Sequence, residues 1–80
     1  MAVESSSQDI IAFMRDTSFN HRFVFIGNMN PDRELYFSVK FPVNCNWFRD
    51  IETNAKYPVK FGWLIQNLKP FNFVLGVLED

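Results

Sequence analysis

The chain has 80 residues, 48% of them hydrophobic, with ten Phe, two Trp and two Tyr. That composition excludes a disordered chain. Eight Lys and Arg against nine Asp and Glu give a formal charge of −1, which excludes the global basic excess of a dedicated duplex-DNA binder or a membrane-surface protein. Cys45 is the only cysteine, so no internal disulfide forms, and a reducing, cytoplasmic setting is expected.

Residues 1–7 have no basic start and no apolar run, unlike a signal peptide, and read as a flexible lead to a single domain over 8–80. Ser6 and Asp9 stand at the spacing of a capping box, and Ile10, Phe13 and Met14 recur at i, i+3, i+4. This predicts a helix over 7–16, broken at Thr17-Ser18-Phe19-Asn20. Residues 21–27 and 34–41 read as two strands. In the second, Leu35, Phe37, Val39 and Phe41 alternate with Glu34, Tyr36, Ser38 and Lys40. Pro31 and Asp32 suit a turn between the runs, which predicts a hairpin over 21–41.

Pro42 closes that strand, since it has no N–H to continue a ladder. Asn46 is placed to cap a single helical turn through Trp47, Phe48 and Ile51. From Pro58 to Leu68, apolar residues at i, i+3, i+4 and i+7 predict a second helix, against which Gly62 counts by about 1 kcal/mol. Residues 71–78 alternate as a last strand. The sum is an α+β fold: a small antiparallel three-stranded sheet, made of the hairpin 21–41 and the strand 71–78, packed with an N-terminal helix and one or two short helices. The strand 71–78 is expected at a sheet edge, where a second copy can pair.

Val24-Phe25-Ile26-Gly27-Asn28-Met29 resembles the first ribonucleoprotein motif of RNA-recognition domains, and Lys60-Phe61-Gly62-Trp63-Leu64 is similar to part of the second. The resemblance implies base stacking on Phe25, Phe61 and Trp63. The surrounding chain departs from that family. It requires a long helix after the first motif, where this chain alternates like a strand, and the second motif lacks its first glycine. A looser pattern, with Lys or Arg beside a ring at Arg22-Phe23, Lys40-Phe41, Phe48-Arg49, Lys56-Tyr57 and Lys60-Phe61, fits a single-stranded nucleic-acid binder as the alternative function.

Catalytic signals are sparse. His21 and Cys45 are single residues of their kinds, and two ligand-type residues do not make a Cys/His zinc site. A Cys45–His21 pair oriented by Asp16 or Asp50 is chemically conceivable, yet no glycine-rich phosphate loop or metal-binding spacing accompanies it. No enzyme, cofactor or metal is expected. What stands out is apolar surplus: two strands carry apolar residues on both faces. Trp47, Phe48 and Arg49, with Tyr57 and Tyr36, have the composition of a binding hot spot. The expected function is a non-enzymatic interaction protein, an accessory regulator or inhibitor that binds another protein and itself as a homo-oligomer, with no membrane role.

Overall fold

In the computed structural model, which describes residues 3–16 and 22–80, period-two alternation of buried and exposed side chains runs through nearly every element. Among the described residues there is no helix. Eight strands form: β1 (Glu4–Ser5), β2 (Ile10–Asp16), β3 (Arg22–Asn28), β4 (Leu35–Lys40), β5 (Trp47–Asp50), β6 (Lys56–Pro58), β7 (Trp63–Leu68) and β8 (Phe73–Glu79). They build two antiparallel sheets, one ordered β1-β4-β7 and the other β2-β3-β8-β5-β6. The expected α+β class is therefore corrected to all-β.

Each expected helix gave way to a competing pattern. Over 7–16, Ile10, Ala12 and Met14 are buried, while Ile11 and Phe13 face out. The β-branched pair Ile10-Ile11 favours this pleat, and all seven residues of β2 pair with β3, from Ile10 opposite Asn28 to Asp16 opposite Arg22. Ser6, expected as the cap, instead accepts the Ser38 N–H of β4 on its Oγ, while the Asp9 N–H donates to Ser7 Oγ in a turn. The single turn expected at Asn46 is the strand β5.

Over 58–68 the helical spacing is broken at Gly62. Lys60 and Trp63 exchange backbone hydrogen bonds of 3.0 and 2.9 Å around Phe61 and Gly62, both with positive φ (54° and 86°). This is a type I′ two-residue turn, for which glycine at the second position is well suited. The chain leaves it as β7.

The strands of the expected hairpin 21–41 exist, but they do not pair with each other. β3 lies between β2 and β8, whereas β4 lies between β1 and β7 in the other sheet. The link between them crosses the sandwich. It turns where Asn30 Oδ1 accepts the Asp32 and Arg33 N–H groups. The last strand, β8, is not an edge: β3 and β5 flank it, so a second copy has no access to its backbone.

The core fills the space between the sheets. Val24 and Ile26 from one sheet face Phe37, Val39 and Leu64 from the other, and Phe48 closes the middle. Phe48 lies against Gly76 so closely that a Cβ there would overlap its ring. Part of the expected lead belongs to this body. Val3 is buried, its N–H donates to Ala12 O at 3.0 Å, and Glu4–Ser5 pair with β4. The segment thus bridges the two sheets along one side. On the other side, between β6 and β7, the sandwich stays open beyond the Lys60–Trp63 turn.

Candidate interaction surface

A strand with apolar residues on both faces buries one and leaves the other for something else. On the five-stranded sheet the outward set comes from β2, β3 and β8. Cross-strand register places Phe13 opposite Phe25 and Phe25 opposite Leu75, with Ile11, Gly27 and Phe73 in the adjacent row. Phe25 forms the centre: its ring lies 6.4 Å from that of Phe13 and 5.6 Å from that of Phe73, the latter stacked. Phe13 is 52% exposed and Phe73 64%, with Ile11 and Leu75 beside them. The result is a three-ring aromatic ladder on the outside of a sheet.

Two cations at the far end of this sheet share one carboxylate. Arg49 Nε lies 3.1 Å from Glu79 Oε2, and Lys56 Nζ 3.3 Å from Glu79 Oε1. The Arg49 hydrogen bond, aided by Lys56 and opposed by partial burial, holds the Glu79 carboxyl below the usual range.

The three-stranded sheet has a smaller outward set. Tyr36 is 79% exposed, Lys40 Nζ sits 5.6 Å above the Trp63 ring, and Ile65 is exposed beside them. A cleft of about 300 Å³ at the open seam is lined by Tyr57, Pro58, Lys60, Trp63 and Ile65.

The residues expected to form an interaction site do not share one surface. Phe48 is a correction: it is fully buried, with Phe41 stacked at 6.5 Å and Tyr57 tilted at 6.5 Å, and is closed to any partner. Tyr57 is half-buried against the core and lines the seam cleft. Trp47 and Arg49 face out from β5, and Tyr36 belongs to the other sheet. Conversely, Phe61, Phe71 and Phe73 occupy spacings that a core explains, yet all three are exposed. Phe13 was concealed by its fit to a helix. The signal that finds the ladder is alternation read across β2, β3 and β8 together.

The ribonucleoprotein resemblance does not carry through. Phe25 is on one sheet, Trp63 on the other and Phe61 at a turn tip, so the three rings do not share a platform. As for catalysis, His21 lies outside the described residues. Asp16 is 3.3 Å from Arg22 Nε, and Asp50 Oδ1 accepts the Glu52 and Thr53 N–H groups. Burial pushes the Cys45 thiol up, partly offset by Arg22, so it is protonated at neutral pH. Among the described residues no group of three His, Cys, Asp or Glu is arranged to hold a metal, and no helix is long and apolar enough to cross a membrane. No protein-family model matches the chain, and no curated protein matches it.

Proposed function

We propose that this chain is a non-enzymatic interaction module, an accessory regulator or inhibitor that binds another protein through the outer face of its five-stranded sheet and also associates with itself. The observation that carries the reading is the exposed ladder Phe13–Phe25–Phe73 with Ile11 and Leu75. Contiguous apolar surface of this kind on a small domain marks partner sites. Rigid rings also supply contact area at low entropic cost.

Charge favours a protein partner over single-stranded nucleic acid. Stacking platforms for bases are flanked by cations that track the phosphates. Here Arg49 and Lys56 share the one carboxylate of Glu79, and exposed Arg15 stands on the ladder's face next to Phe13, a single charge beside the rings rather than a cationic track.

The test is the double variant Phe13→Thr/Phe73→Thr, which keeps strand propensity and alters only exposed positions. It should lose the proteins retained by the native chain in an affinity capture from the host, while Tyr36→Ala keeps them. Equal capture by both variants would remove the ladder from the reading. Tryptophan fluorescence titrated with oligonucleotides at low and high salt decides the alternative: salt-sensitive quenching would replace the protein partner with a nucleic-acid strand.

A further inference from the structure

Self-association needs an interface, and the backbone of the three-stranded sheet supplies one. In an antiparallel ladder, each residue directs both its N–H and its C=O to the same neighbour, and successive residues alternate sides. Trp63 exchanges both of its bonds with Lys60, and the Phe41 N–H donates to Gly62 O. Alternation along β7 therefore turns Leu64, Gln66 and Leu68 toward β4. Ile65 and Asn67 turn their N–H and C=O groups to the open seam.

The other strand edges are short or partly occupied. β1 has two residues. β6 has three, including Lys56 and Pro58, which are typical edge guards. On β2, Ala12 O accepts the Val3 N–H, and the Ile10 N–H donates to Ser7 O. β7 is different: Trp63-Leu64-Ile65-Gln66-Asn67-Leu68 has no charge and no proline. Its outward side chains include exposed Trp63 and Ile65.

We infer that β7 is the self-association edge, pairing antiparallel with β7 of a second copy about a two-fold axis at Gln66. This inference rests on the self-association part of the proposed function and deepens it. The axis sets Ile65 against Asn67 of the second copy, and Asn67 against its Ile65. Four N–H···O bonds form, and the two sheets merge into one of six strands. Pairing spans residues 64–68 and stops where Lys60 occupies the position beside Trp63. The occupant is a second copy because the edge is complementary to itself. At Ile65 and Asn67 the edge presents both an N–H and a C=O, so under the dyad each copy's donors meet the other's acceptors, and the uncharged strand brings no like charges together.

The decisive variant changes one backbone atom. A chain with N-methyl-Ile65, assembled by ligation at the Asn44–Cys45 junction, loses an N–H with no partner inside the monomer. Circular dichroism should be unchanged, while sedimentation velocity should show the dimer weakened by about tenfold or more, since two interfacial bonds are lost. Ile65→Lys, which places a charge on each side of the dyad, should act in the same direction. Phe13→Thr/Phe73→Thr should dimerise like the native chain. If the N-methyl and Ile65→Lys chains dimerise unchanged, the edge assignment is wrong. If the Phe13→Thr/Phe73→Thr chain alone loses the dimer, self-association stands but belongs to the aromatic ladder. A native chain that stays monomeric to millimolar concentration removes both.

Discussion

Two phenylalanines hold backbone conformations usually left to glycine or asparagine. Phe61 has φ 54° at the first central position of its turn and is 95% exposed. Phe71 has φ 57° after Pro70, in a turn closed by the Asn72 N–H on Lys69 O at 3.1 Å. A non-glycine residue in this region costs about 1–2 kcal/mol, and an exposed ring recovers little of it. Phe61→Asn creates the Asn-Gly sequence that type I′ turns favour. It should raise unfolding free energy by about 1 kcal/mol, measured by urea denaturation. Gly76→Ala should act oppositely. The added Cβ meets the Phe48 ring and lies 2.8 Å from Arg49 O, so a loss of about 2 kcal/mol or more is expected in the same assay. At Glu79 the native pKa is depressed, so its contribution to stability is present above the unfolded carboxylate value and lost as pH falls through the native one. Glu79→Gln should therefore reduce stability at neutral pH and flatten the acid limb of a stability–pH profile.

At the scale of elements, Asn28 ties loops of the two sheets together. It is fully buried at the end of β3, and its Nδ2 lies 2.9 Å from Leu68 O, 3.0 Å from Arg33 O and 3.1 Å from Lys69 O. Its Oδ1 accepts the Asn30 N–H. Asn28→Ala removes a buried amide whose part-buried bonds reach the Arg33, Leu68 and Lys69 carbonyls, and a loss of about 2 kcal/mol is expected from thermal or urea unfolding. Nothing in the sequence distinguished this asparagine from an ordinary turn residue. What the sequence did disclose was strand content where alternation was strict, as in Leu35–Lys40, and where apolar residues crowded both faces, as in Phe73–Glu79. Residues 7–16 and 58–68 satisfied helical and strand periods at once. Only pairing with β3 and β4 decided between them. The aromatic ladder was hidden for the same reason. Phe13 and Phe73 are 60 positions apart, and only the shared neighbour Phe25 makes them one surface.

Over the whole molecule, two small sheets share one core and leave apolar rows on both outer faces. A domain of this size buries only about 60–65% of its unfolded surface, so rings left outside are a large fraction of its apolar material. The proposed contacts use separate parts of it: side chains on the outer face of the five-stranded sheet and backbone at the β7 edge. They predict a molecule that can hold a partner and a second copy at once. Mass photometry of a captured complex should then show two copies of this chain, and a single copy when residue 65 is N-methylated.

The link that carries the chain from β3 across to β4 has a consequence for how this structure is reached. β3 and β4 are neighbours in sequence, yet each finds its sheet partners elsewhere, β3 with a strand near residue 75 and β4 with one near residue 65. The chain must close long loops before most of its contacts form, so refolding belongs to the millisecond-to-second range of β sandwiches. Throughout that interval its phenylalanine-rich strands are uncovered, which opens the folding chain to aggregation.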